Sequence, residues 1–223
     1  MNSILISSQF LLLLLLLLQL SCVEVEGITR NCVNSTSPSA SCGVGEIRLS
    51  RSLDRVQYGA FRYSAISGHL PIKSPIRVLE NSAFSDTDLA SVRIGNTVTD
   101  IGTQLSYVSI DGVFANNSFL EKLTFDEPSA LTNIGYRAFS QCYKLQGDLV
   151  IPDSVQSLQY GAFTQTNLSS VVIGTGVTKM GRINDLTRSD DDDELYPTGV
   201  FEEVNSLKSL IFKEPSQVRE LDS

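Results

Sequence analysis

The sequence predicts an α/β repeat solenoid, a column of short coils that bury their apolar side chains against one another. Three observations carry this expectation. A small residue precedes phenylalanine six times, at Ala60-Phe61, Ala83-Phe84, Val113-Phe114, Ala138-Phe139, Ala162-Phe163 and Val200-Phe201. The steps between these phenylalanines are 23, 30, 25, 24 and 38 residues, which a period of 23 to 25 with two insertions accounts for. Fixed periods of this length are the mark of stacked repeats. Finally, the apolar positions Leu149, Ile151, Val155, Leu158 and Phe163 align without a gap on Leu70, Ile72, Ile76, Leu79 and Phe84, and again on Ile47, Leu49, Leu53, Val56 and Phe61.

The remaining units follow the same order with small adjustments. Val92, Ile94, Val98 and Ile101 match, and extra residues then precede Phe114. Leu123, Phe125, Leu131, Ile134 and Phe139 form the next unit. Val171, Ile173, Val177 and Met180 begin another, with a longer insertion before Phe201, and Leu210, Phe212, Val218 and Leu221 open a seventh. The solenoid is therefore expected over 47–223, as six repeats and a partial seventh with insertions near 102–110 and 181–198.

Each unit has two landmarks. Segments such as Leu89-Ala-Ser-Val-Arg-Ile94 and Leu168-Ser-Ser-Val-Val-Ile173 end in period-two alternation and read as short strands with one face inward. The Ala-Phe stretch is too short for a free helix and reads as one helical turn. A lone unit cannot fold. Its five or six buried apolar side chains return roughly 2 kcal/mol each, whereas every ordered residue costs about 1–2 kcal/mol of backbone entropy. Stacking adds hydrogen bonds and burial between units, so stability grows with neighbours.

Residues 1–27 read as a signal peptide. Leu11 to Leu18 is an unbroken leucine run, too short to span a bilayer comfortably, and Val25 and Gly27 suit cleavage after Gly27. A lipoprotein reading would anchor through Cys22, but Gln19 fits that motif badly. Cleavage moves the net charge from −8 to −6. No later apolar run is long enough for a membrane span, and the acidic balance argues against nucleic-acid binding.

Secretion would place the cysteines in an oxidising compartment. Cys32 and Cys42 lie in the 28–46 segment just before the first unit, where a disulfide would tie down a cap over the open end of the core; two unpaired thiols are the alternative. Cys142 belongs to a column three residues after each phenylalanine, with Ser64, Thr87, Asn117, Thr166 and Val204, and so reads as a packing residue. Asn34, Asn116 and Asn167 head three glycosylation sequons. The last unit is incomplete and no capping segment follows it, so the chain is either a piece of a longer protein or frays at its last turn.

The residues offer little chemistry. His69, the single histidine, precedes the inward Leu70 and is expected to face solvent. Clustered zinc ligands are missing. Gly174-Thr-Gly176-Val-Thr-Lys179 suggests a phosphate loop, but it occupies the column of Gly95-Asn-Thr-Val-Thr and reads as a repeat turn. Asp190 to Glu194 form an acidic run that reads as a solvated loop, with weak calcium binding or docking of a basic partner as alternatives. No cofactor, catalytic residue or metal site is assigned.

Strand alternation instead points to a surface. The residues between inward positions, Arg93, Thr124, Val150, Val172 and Ile211, face out. So do Ser91, Lys122, Asp148, Ser170 and Ser209, one step earlier. Val150, Val172 and Ile211 make an apolar stripe suited to docking a partner, although β-branched residues also simply suit strands.

The run from Ala138-Phe139-Ser-Gln-Cys142 to Ala162-Phe163, with its pattern Leu-x-x-Leu-x-Ile-Pro-x-x-Val-x-x-Ile-x-x-x-Ala-Phe-x-x-Cys-x-x-Leu, resembles the BspA-like leucine-rich repeats. The resemblance covers about Ile47 to the end. It implies a leucine-rich-repeat horseshoe with one parallel β-sheet, found on secreted and surface proteins that bind other proteins. It further implies recognition or adhesion toward a protein or glycoprotein ligand, without catalysis. The ligand-sensing ectodomain of a larger membrane receptor is the alternative. Neither the partner nor the oligomeric state is legible.

Overall fold

A computed structural model describes residues 49, 53–73, 75–102, 111–181, 199–216 and 220–221. The 1–27 and 28–46 segments, Asn34, Cys32 and Cys42 lie outside the described residues, as do 103–110 and 182–198 with the run Asp190 to Glu194.

A complete coil contributes a long strand, a very short strand and a phenylalanine turn; among the described residues the first coil has no long strand and the last no phenylalanine turn. The long strands are β2 (Ser67–Ile72), β4 (Asp88–Ile94), β6 (Lys122–Phe125), β8 (Gln146–Val150), β10 (Asn167–Ile173) and β12 (Ser209–Phe212). The short ones are β1 (Arg55–Val56), β3 (Val78–Leu79), β5 (Asp100–Ile101), β7 (Asn133–Ile134), β9 (Ser157–Gln159), β11 (Lys179–Gly181) and β13 (Glu220–Leu221). The short strands form one parallel sheet in the order β1-β3-β5-β7-β9-β11-β13. Its register places Val56, Leu79, Ile101, Ile134, Leu158, Met180 and Leu221 in a single file.

One expectation is corrected. The single sheet is in fact three, because each coil carries a second strand and because the long strands split into β2-β4-β6 and β12-β10-β8. The split falls at β8, where an additional residue separates Leu145 from Leu149 and Gly147 takes a left-handed φ of 82°. That residue carries β8 out of step with β6, and the backbone bond across the gap, Gln146 N–H to Glu121 O, is long at 3.4 Å. β2 opens the other sheet with the same device, at Ile66-Ser-Gly-His-Leu70 with Gly68 at 85°.

The expected helical turns are not borne out, since there are no helices among the described residues. At each phenylalanine the chain makes linked i to i+3 turns. In the first, Ala60, Arg62 and Ser64 donate to Gln57, Gly59 and Phe61. The intervening Gly59, Phe61 and Tyr63 donate to Asn81, Ala83 and Ser85 of the next coil. Alternate amides are turned outward by left-handed residues. Two residues past each phenylalanine stands a non-glycine with positive φ: Tyr63 57°, Asp86 56°, Asn116 62°, Gln141 61°, Gln165 57° and Glu203 54°. A left-handed residue ends a helix, but here it lets the turn join its neighbour.

The phenylalanines stack down the column. Ring centroids from Phe61 through Phe84, Phe114, Phe139 and Phe163 to Phe201 are 5.0, 5.3, 5.1, 5.4 and 5.5 Å apart, and no pair departs from parallel by more than 11°. The rings are stacked at a separation within the range of aromatic pairs. Ile72, Ile94, Ile151 and Ile173 are buried, whereas Leu49, Phe125 and Phe212 are only partly covered by the same core. Glycine is required where coils touch: a Cβ on Gly95 would lie 2.3 Å from Ile72 O, and one on Gly112 would lie 1.9 Å from Arg137 O.

Candidate functional site

The long strands carry the face that alternation predicts. Pairing sets His69, Ser91 and Lys122 in one row and Pro71, Arg93 and Thr124 in the next. In the other sheet the corresponding rows are Asp148, Ser170 and Ser209, and Val150, Val172 and Ile211. His69 and Pro71 complete the first rung, a place that the alternation around Leu70 and Ile72 would have given them. Because the two sheets do not join at β6 and β8, the rows divide into two patches of different chemistry.

The first patch is polar and hydrogen-bonded. His69 Nδ1 lies 2.8 Å from Ser91 Oγ, and Arg93 Nε donates to Asp126 Oδ1 at 2.5 Å. Lys122 is exposed and Thr124 half-buried. The second patch is apolar. Val150 and Ile211 are 49% and 52% exposed, with the half-buried Val172 between them. Ser170 and Ser209 are half-buried beside this stripe, and the exposed Asp148 takes a hydrogen bond from Ser169 Oγ at 3.3 Å.

The Gly174–Gly176 turn and Cys142 have structural explanations. The turn at Gly174-Thr-Gly176 already holds a carboxylate: Thr175 N–H donates to Asp153 Oδ1 at 3.1 Å, and Lys213 Nζ lies 3.1 Å from the same oxygen. These bonds, the Thr175 amide first, lower the Asp153 pKa. Cβ atoms on Gly174 and Gly176 would lie 2.4 and 2.2 Å from the carbonyls of Pro152 and Asp153, so close packing of coils accounts for both glycines. The Cys142 thiol is fully buried and donates to Phe114 O at 3.2 Å, and burial pushes its pKa up to about 12. A thiol in that state is inert as a nucleophile.

The rest of the Cys142 column does more than pack. Asn117 Nδ2 donates to Phe84 O and Phe114 O at 2.7 and 3.0 Å, and Thr166 Oγ1 to Phe163 O at 2.9 Å. The column supplies polar hydrogens to carbonyls that the phenylalanine turns direct into the core. Reading the residues by size alone missed this role; the polarity of Ser64, Thr87, Asn117 and Thr166 was the available signal, with Val204 the apolar exception.

Of the sequon asparagines, Asn116 and Asn167 are exposed, and Asn116 Nδ2 donates to Asp86 Oδ1 at 3.0 Å. Among the described residues no group of three or more His, Cys, Asp or Glu is placed to hold a metal ion, and no helix is long and apolar enough to cross a membrane.

Comparison with known proteins agrees with this geometry. The family model for the BspA type leucine rich repeat region matches residues 33–110 and 110–184, in six copies. Proteins with these repeats are often surface-associated, and such domains generally mediate protein interactions. No curated protein and no solved structure matches the chain. Stacked parallel coils, a phenylalanine at the turn of each and a family match over most of the chain lead to one conclusion: this protein belongs to the BspA type leucine-rich repeat family.

Proposed function

We propose that the protein is a secreted or cell-surface binding protein that recognises a protein or glycoprotein through the outward face of its long strands, without catalysis. One observation carries the reading. Val150, Val172 and Ile211 lie on adjacent strands in direct register and stay accessible at the surface. Three neighbouring apolar rungs on a solvated sheet form a contiguous patch, the kind of surface that docks partners. The polar rungs His69, Ser91, Arg93, Lys122 and Thr124 supply charge and hydrogen bonding on the same side of the coils. The leucine run at the N-terminus and the exposed Asn116 and Asn167 support the secretory setting. Glycans on these residues and on Asn34, and a Cys32–Cys42 disulfide, belong to the same reading.

The test is a pull-down of cell-surface proteins with the glycosylated protein, repeated with Val172→Asp. The charge lies at the centre of the apolar stripe on a half-buried side chain, so circular dichroism must first show an intact fold. Loss of the captured partner supports the reading. Capture at wild-type level by a folded variant contradicts it.

A further inference from the structure

Arg137 stands where the other coils hold glycine or serine. Two residues before each phenylalanine the chain has Gly59, Ser82, Gly112, Arg137, Gly161 and Gly199. The backbone of Arg137 is left-handed, with φ at 48°, a conformation unfavourable to any residue with a side chain. The other coils close without a large side chain at this place, so the turn itself does not call for one. Strain kept where the fold does not require it points toward function. The guanidinium lies over the Tyr136 ring, 5.3 Å from its centroid, and the Tyr160 ring stacks on Tyr136 at 5.4 Å. The arginine stem crosses the next coil at Gly161, where a Cβ would come 3.1 Å from Arg137 Cγ. Arg137 is half-buried, yet among the described residues no oxygen hydrogen-bonds or ion-pairs with its guanidinium. Arg62 and Arg93, by contrast, are each paired with an aspartate.

We propose that Arg137 binds the carboxylate of an acidic sugar, with Tyr136 and Tyr160 beside it to meet the ring and its hydroxyls. A guanidinium held against an aromatic ring keeps its N–H fork in place, suited to two bonds with one carboxylate. Tyrosine offers apolar area and a hydroxyl from the same side chain. The neighbouring charges narrow the ligand class. Glu202 lies close enough to Arg137 to feel its charge, and Asp111, itself paired with Arg62, acts on Tyr136 in the same way. With these carboxylates nearby, a bare anion or an acidic peptide gains little from the one free cation. A sugar acid differs, because its hydroxyls donate to carboxylates while its own carboxylate takes the guanidinium. The site belongs to the interior coils of Phe139 and Phe163, between the short strands and the phenylalanines. It is separate from the stripe on the long strands and does not depend on it.

Saturation-transfer NMR titration of the full chain with D-glucuronate, D-glucose, acetate and a tetra-aspartate peptide tests this. The wild type should bind glucuronate about tenfold more tightly than glucose or acetate, as a charge-assisted pair allows. Arg137→Gly should reduce glucuronate to the level of glucose and should melt no lower than the wild type, because glycine suits a φ of 48°. Arg137→Lys keeps the charge and the backbone but loses the fork, and should weaken glucuronate by about tenfold. If Arg137→Gly melts below the wild type, Arg137→Lys carries the test. A wild type with no preference for glucuronate overturns the inference. So does wild-type affinity for glucuronate in either variant, or a tetra-aspartate peptide that binds as tightly as the sugar acid.

Discussion

Phe163 and Phe201 are 38 residues apart in the chain, yet their rings stack with centroids 5.5 Å apart and planes 11° from parallel. Gly181 and Gly199, the described residues on either side of 182–198, both lie where the repeat places them. Phe163 N–H donates to Val200 O at 2.9 Å, the same bond that Phe139 makes to Ala162 at 2.8 Å without any insertion. The contact between these two coils is thus the same as elsewhere in the column, although more sequence separates their rings.

The ring stack sets the first prediction. Phe139 is fully buried between Phe114 and Phe163. Phe139→Ala should cost about 3–5 kcal/mol, the range for an emptied aromatic core site. Phe61 is only partly buried and stacks on Phe84 alone among the described rings, so Phe61→Ala should cost less than half as much. Urea unfolding of the two variants measures the difference.

Close contact between coils sets the second. A Cβ on Gly112 would meet Arg137 O at 1.9 Å and Ala138 N at 2.6 Å, both backbone atoms that cannot turn aside. Gly112→Ala should therefore destabilise by about 1–3 kcal/mol or more, as overpacking does. Gly147→Ala meets nothing within 4 Å and is disfavoured only by its φ of 82°, so its thermal midpoint should fall less.

The left-handed column sets the third. Gln141 holds φ at 61°, and its side chain is half exposed. A left-handed conformation costs a non-glycine residue roughly 1–2 kcal/mol, partly offset in Gln141→Gly by the greater freedom of glycine in the unfolded chain. Gln141→Gly should gain about 0.5–1 kcal/mol in urea unfolding.

Much of the fold was legible in the residues, for a physical reason. Val56, Leu79, Ile101, Ile134, Leu158 and Met180 share one buried environment, and stacking demands the same kind of side chain there in every coil. The outward rows were equally readable, because strand alternation leaves Arg93, Thr124, Val172 and Ile211 no other direction. The short strands escaped notice because two residues, such as Val78 and Leu79, are too few to show alternation. The left-handed turn escaped because Tyr63, Gln141, Gln165 and Glu203 are not residues that favour positive φ; their conformation is imposed by hydrogen bonds to the next coil.

Glu202 gives a pH prediction. Its pKa is raised, first by burial and then by the neighbouring Glu203. A carboxyl whose folded pKa lies above its unfolded value favours the folded state when protonated. Its contribution is fully present below the unfolded pKa of about 4.3 and is lost as pH rises through the folded pKa. At pH 7 the ionised group is therefore a burden, and Glu202→Gln should raise the thermal midpoint there. Below about pH 4 the two proteins should converge.

Cys142 gives a chemical one. With its sulfur buried and its pKa at about 12, the thiol should resist maleimide at pH 7 in the folded protein and react once urea unfolds it. Peptide mapping by mass spectrometry separates Cys142 from the other cysteines.

The most direct test of the stacked-coil architecture is a crystal structure that locates six rings. Phe61, Phe84, Phe114, Phe139, Phe163 and Phe201 should form one continuous stack, each centroid 5.0–5.5 Å from the next. Any of the six lying outside that column, or two neighbours separated by an intervening side chain, would contradict it.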